Sequence, residues 1–211
     1  TDITKAKGAM QNFNGGFVTT AKINGFTIHR YNGERLFSTV HARADGGSTQ
    51  SNASATGITL TELNLETGRL ALVKQLSDIG MPIHDMGKIT LVIPDDLEKD
   101  GVIFTMSQLR ASTAQNDLNF YMGRIDVIAS RWLDATFGGS ATAWFLVARL
   151  PFNGNSISPL RCYQRGGPRF KEGYENKTWN AEFGVKDRYA IGNSEFKGTW
   201  ASKGDGAAYS S

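Results

Sequence analysis

The stretch from Ile58 to Leu109 constrains this chain more than any other. It reads in order as helix, turn, strand and helix. Thr59 and Glu62 have the T-x-x-E spacing of a capping box, and Ile58 and Leu63 beside them suit a hydrophobic staple. Leu63, Leu65, Leu70, Leu72, Val73 and Leu76 then recur near helical spacing and predict a broad apolar face. Gly80 and Pro82 are expected to end that helix. The run "KITLVIP", Lys88 to Pro94, is short and rich in β-branched residues, and it stops at a proline that cannot continue a ladder. Asp95 and Asp96 are expected to cap a second helix, with Glu98 in its first turn. Leu97, Val102, Ile103, Phe104, Met106 and Leu109 are expected on its buried side. Gly101 inside it costs about 1 kcal/mol relative to alanine and suggests a close packing contact. A strand set between two helices is the centre of an α+β domain.

Two further apolar strands follow: "MGRIDVIAS", around Ile125 to Ile128, and "AWFLVARL", Ala143 to Leu150. Together with the first they predict a small mixed sheet in which several of Leu91, Ile93, Ile125, Val127, Trp144 and Leu146 are buried. A chain of 211 residues, 40% hydrophobic and with 12 Phe, can fill such a core, as one large domain or two small intertwined ones. No run approaches the length of a membrane helix, and no membrane partner is expected.

On the near side of this unit, Thr1 to Asn14 reads as the end of an amphipathic helix, broken at Gly15–Gly16. Phe17 to His41 is β-rich, with Asn24–Gly25 and Asn32–Gly33 as hairpin turns. Arg43 to Gly57 contains no large apolar residue and reads as a solvated connector, or as an interface loop that orders on assembly. Beyond Pro151, aromatic and charged residues alternate, predicting an antiparallel β segment from Leu160 to Ala201 with one face solvated. Ser202 to Ser211 is expected to fray.

Catalytic patterns are scarce. Cys162 with His29, His41 or His84 would make a nucleophilic pair, but Cys162 sits in a β alternation where a buried or half-buried structural cysteine is expected. The three histidines lack metal-ligand spacing. Asp95–Asp96 is better explained by capping than by acid chemistry. "GGSTQSN" has no lysine after its glycines, so it is not a phosphate-binding P-loop. Arg161, Arg165, Arg169 and Lys171, interleaved with Tyr163 and Phe170, form a basic cluster that suits phosphate, an acidic neighbour or plain solvent. The net charge of +3 is mild. No catalytic, cofactor-binding or metal-binding residue is assigned.

The ordered series of signals resembles the tailed-phage major capsid proteins of the Mu-like major head subunit type, which share the Hong Kong 97 fold. It runs through "RYNGERLFSTVH", "GGSTQSN", "LTELNLETGRLALVKQLSDIGMPI", "LVIPDDLE", "GRIDVIASRWLD", "AWFLVA" and "FGVKDRYAIGNSEFKGTW". The resemblance implies a mixed-sheet axial domain flanked by helices, and a peripheral domain with a long helix and antiparallel strands. Residues 1–41 would hold the end of the spine helix and a β-ribbon, 42–150 the axial domain, and 151–211 the returning β segment and tail. The family's N-terminal arm and extended loop precede the spine helix, so Thr1 is expected not to be the start of the gene product.

The implied function is structural and non-enzymatic. The subunit would form pentamers and hexamers of a virion shell, assembled in the bacterial host cytoplasm around double-stranded DNA held by weak non-specific contact. Scaffold, portal or decoration proteins are further partners the resemblance allows. The same-fold alternative is an encapsulin-like compartment; the alternative from another class is a Cys–His hydrolase.

Overall fold

The computed structural model describes residues 10, 13, 17, 22–23, 26–27, 35–83, 87–109, 117–152, 155–157, 159–174, 181–193 and 195–207. Its elements in chain order begin with β1 (Lys22–Ile23), β2 (Phe26–Thr27), α1 (Glu62–Val73), β3 (Ile89–Ile93), α2 (Glu98–Met106) and β4 (Ile125–Ala129). They continue with β5 (Trp144–Val147), β6 (Leu150–Phe152), β7 (Asn155–Ile157), β8 (Leu160–Tyr174), β9 (Ala181–Asn193) and β10 (Thr199–Ser202). The architecture is mixed α+β.

Four strands form the central sheet in the order β10-β5-β3-β4. The β3–β4 pair is parallel, and α2 supplies the crossover that such a pair needs. The other two pairings are antiparallel. Strand alternation sends side chains to two separate cores. Leu91, Leu146 and Trp200 lie side by side in register and face the helices, packing with Leu65, Leu72, Ile125 and Trp144. Val92, Phe145 and Ala201 face the other way, into a cluster with Phe13, Phe17 and Phe37. Phe145 meets Phe13 and Phe37 at ring separations of 5.0 and 5.5 Å. Of the six strand residues expected in the core, five are buried and Val127 is partly buried.

The first helix starts later and buries less than its leucines suggest. Thr61, not Thr59, is the N-cap, and its hydroxyl accepts from the Asn64 N–H at 3.2 Å. The helix ends at Val73, well before Gly80. Its buried stripe is Leu65, Gly68 and Leu72, while Leu63 and Leu70, two positions back and so about 200° round the helix, are exposed. Gly68 lies so close to the sheet that a Cβ there would come within 2.9 Å of the Trp200 ring.

The second helix follows the same rule. Asp95 and Asp96 do not cap it; they are exposed in a 3-10 turn, with no side-chain cap bond. Its buried positions are Gly101 and Thr105, whereas Val102, Met106 and Leu109 are exposed. A Cβ at Gly101 would fall 2.5 Å from Ile93 Cδ1, the close contact expected of that glycine. At its closest approach to the sheet each helix presents a glycine, Gly68 or Gly101.

The expected β segment from Leu160 to Ala201 divides into two structures. β8 and β9 pair as an antiparallel two-stranded ribbon, and β10 joins the central sheet beside β5. β1 and β2 pair antiparallel, Lys22 with Thr27 and Ile23 with Phe26; the expected Asn24–Gly25 turn itself lies outside the described residues. The expected tail begins ordered: Ser202 is buried, and Gly206 N–H donates to Gly57 O at 2.7 Å. Met10 and Phe13 are helical; the rest of the helix expected over 1–14 and the Asn32–Gly33 turn lie outside the described residues.

Candidate functional site

The segment expected to be a solvated connector carries the most densely bonded polar side chain in the core. Asn52 is fully buried. Its Oδ1 accepts from the Ser38 N–H and from His41 Nε2, both at 2.9 Å. Its Nδ2 donates to Leu36 O at 2.7 Å and to Thr199 Oγ1 at 3.1 Å. His41 Nε2 faces two acceptors, Asn52 Oδ1 and Leu36 O, so this nitrogen carries the proton. The imidazole stacks on Phe196 with ring centres 3.9 Å apart. Backbone bonds from Ala201 N to Asn52 O and from Ser54 N to Ala201 O then lay residues 52–54 along β10. The connector thereby covers a sheet edge that would otherwise offer unpaired groups.

Gln75, just past α1, extends the network. Its Nε2 donates to Thr199 O at 2.9 Å, and its Oε1 accepts from Gly198 N at 2.7 Å. Lys197 is buried and bonds Asp78 Oδ1 at 2.7 Å, with Glu195 Oε2 at 3.3 Å. Burial works against its charge, but the hydrogen bond to Asp78 and the charge of Glu195 outweigh that and raise its pKa. These polar groups fasten the C-terminal strand to α1 and to the connector. Hydrophobic periodicity cannot reveal such residues, because buried Asn, Gln and Lys carry the same letters as exposed ones.

A second polar cluster lies beside α1. Glu66 receives a two-pronged bond from Arg69, at 2.8 and 2.7 Å, and accepts from Tyr121 Oη at 2.9 Å. The Arg69 bond holds the Glu66 carboxyl below its ordinary range. Exposed Phe120 lies under the guanidinium groups of Arg69 and Arg124, at 5.2 and 4.5 Å.

Among the described residues, the sequence candidates do not come together. His41 is 1% exposed and committed to the Asn52 network, whereas Cys162 is exposed on β8. The expected half-buried cysteine is thus corrected: a two-stranded ribbon with no sheet behind it covers neither face. His29 and His84 lie outside the described residues. Among the described residues, no group of three His, Cys, Asp or Glu is placed to hold a metal. "GGSTQSN" follows a turn whose Asp45 accepts from Gly47 N at 2.9 Å and pairs with Arg43. Arg165 and Arg169 stand exposed on the ribbon together with Lys186 and Arg188 of the facing strand. No described helix is long and apolar enough to cross a membrane.

What the molecule offers is therefore a bonded core and a set of exposed surfaces. Those surfaces include Leu63 on α1, Leu118 and Phe120 before β4, and Phe170 and Phe183 on the ribbon. No curated protein matches the chain. It is similar to a phage-related protein from Bordetella bronchiseptica RB50, at 14% identity and TM-score 0.46, over 83% of this chain and 57% of that one. It is also similar to the capsid of an empty GTA particle, at 10% identity and TM-score 0.45, over 95% and 61% of the two chains. A third similar structure, from Mycobacterium phage Patience, has 14% identity and TM-score 0.49, over 99% and 65%. The chain thus spans less than two thirds of the length of each of these structures. A model of the family described as phage capsid protein matches residues 6–202, which takes in both cores, the polar network and the ribbon, and the chain belongs to that family.

Proposed function

We propose that this chain is a major head subunit of the Mu-like type with the Hong Kong 97 fold, building a virion shell around double-stranded DNA. The observation that carries this reading is the family match over residues 6–202. Residues 42–150, with β10 completing their sheet, would form the axial domain, and residues 1–41 and the rest of 151–211 the peripheral domain and the tail. The work is done by interfaces, which must be heterologous to close pentameric and hexameric rings. No side chain is given a catalytic, cofactor or metal role. Contact with packaged DNA is weak and sequence-independent, as suits a mild net charge of +3. Assembly takes place in the bacterial cytoplasm, with scaffold, portal or decoration proteins as further partners.

Electron microscopy of purified particles, with nuclease treatment and analysis of their contents, tests this. Closed shells containing nuclease-protected DNA are expected. Shells filled with a protein cargo would mean an encapsulin-like compartment, and a preparation without shells would overturn the reading.

A further inference from the structure

The β8–β9 ribbon has two unlike faces. Phe170 lies directly opposite Val185, and Phe183 opposite Glu172, giving one largely apolar face. Arg169 lies directly opposite Lys186 on the other face. Like charges facing across a strand pair destabilise it, and a free-standing two-stranded ribbon has little stability to spare. Among the described residues neither cation has an ion-pair partner, and the same holds for Arg165 and Arg188.

The pairing is irregular at this point. From Gln164 to Arg169 β8 advances five residues while β9 steps back only three, from Tyr189 to Lys186. One extra residue falls between Gln164 and Gly166 and the other between Gly166 and Arg169, so the irregular stretch flanks Gly166 on both sides; glycine allows the bend, and Pro168 has no N–H to lose. Arg165, Gly166, Gly167, Arg169, Lys186 and Arg188 line a concavity of about 230 Å³ there. No carboxylate is among them. A Cβ at Gly166 or Gly167 would meet nothing within 4 Å, so packing does not demand glycine. What the missing side chains leave is bare backbone inside a ring of cations, the arrangement that lets a ligand approach closely. Asp187 and Gln164, 3.4 Å apart, line an adjoining hollow that Arg165 and Arg188 also border, so the carboxylate stands beside the cradle and not in it. Strands β8 and β9 hold six basic and three acidic residues, an excess equal to the net charge of the whole chain.

We propose that this bulge is a phosphate-binding cradle, taking phosphodiester groups of nucleic acid through Arg165, Arg169, Lys186 and Arg188 without reading bases. A lone carboxylate is satisfied by one guanidinium. Four cations around one concavity match the dense charge of a duplex backbone, about one phosphate per 1.7 Å of axis. Arginine forks add two-pronged bonds to phosphate oxygens. Nucleic acid as the source of the phosphate rests on the shell reading above; the oxyanion chemistry of the cradle does not.

The test is fluorescence anisotropy of the dissociated chain with two short duplexes of unrelated sequence, over a range of salt. Equal affinity for the two duplexes is expected. The variant Arg165→Gln/Arg169→Gln/Lys186→Gln/Arg188→Gln should lower the slope of log affinity against log salt by about 3 to 4, at roughly 0.9 per lost phosphate contact. Arg169→Gln alone should lower it by about 1, and it carries the test if the fourfold variant does not fold. An unchanged slope overturns the cradle, and a strong preference between the duplexes overturns backbone recognition. Inorganic phosphate and polyglutamate serve as competitors. Displacement of the duplex by millimolar phosphate supports the oxyanion chemistry. Tighter binding of polyglutamate than of duplex, lost in the variant, would overturn the proposal in favour of an acidic protein. Intact shells with an unchanged slope would sink the cradle alone. A lowered slope in a preparation that forms no shells would sink the shell reading and leave the cradle standing.

Discussion

Asn52 and Thr199, 147 residues apart in sequence, meet side chain to side chain at 3.1 Å inside the protein. The bond joins the connector before α1 to the strand that completes the central sheet. Both residues are fully buried, so neither can exchange this bond for one to water.

Replacing Asn52 by alanine takes the Oδ1 acceptor from the Ser38 N–H and one of two bonds each from Leu36 O, His41 Nε2 and the Thr199 hydroxyl. Each buried polar group left unpaired costs about 1–3 kcal/mol, less where water or a neighbour steps in. Asn52→Ala should therefore lose at least about 2 kcal/mol in urea unfolding. An unchanged midpoint would show that the network contributes nothing to stability.

Trp144 is fully buried, stacks obliquely on Trp200 at 4.9 Å between ring centres, and donates its indole N–H to Ile58 O at 2.9 Å. Trp144→Ala should cost about 3–5 kcal/mol. A melting temperature equal to that of the parent chain would remove Trp144 from the core.

Gly68→Ala sets two effects against each other. Alanine favours an isolated helix by about 1 kcal/mol. Here its methyl would enter space held by the rigid Trp200 ring, 2.9 Å away, with Leu146 Cδ1 at 3.1 Å. Overpacking of this kind costs about 1–3 kcal/mol, so a lower melting temperature is expected. A rise would mean that α1 can move off the sheet at little cost.

Glu66 supports a pH test on two limbs. Its folded pKa is depressed, chiefly by the Arg69 hydrogen bond and also by that of Tyr121. Its contribution is therefore present above the ordinary glutamate value, about 4.3, and is lost as pH falls through the depressed value. Tyr121 behaves oppositely: burial, then its bond to Glu66, pushes its pKa well above the ordinary tyrosine value. Its contribution is complete below about pH 10 and lost as pH rises toward the raised value. Urea titrations of the parent chain, Glu66→Gln and Tyr121→Phe should show the Gln difference shrinking in acid and the Phe difference shrinking in strong alkali. Differences that stay flat across pH would rule out this coupling.

The three core strands and the existence of both helices were written in local sequence. β-branched and aromatic runs bounded by proline and glycine signal strands wherever they pack, and Gly101 announced its close contact. The apolar faces of the helices were misread because leucine periodicity does not say how near a helix sits to its sheet. Gly68, Gly101 and Thr105 occupy the contact, which turns Leu63, Leu70, Val102 and Met106 outward. Asn52, Gln75 and Lys197 were illegible for a different reason. Their burial depends on partners more than 100 residues away, and Lys197 depends on Asp78, which no local pattern can supply. The basic residues of the ribbon were visible as a cluster of letters on one strand. Only the pairing of β8 with β9 set Arg169 opposite Lys186 and broke the register on both sides of Gly166, because cross-strand register is a property of two segments together.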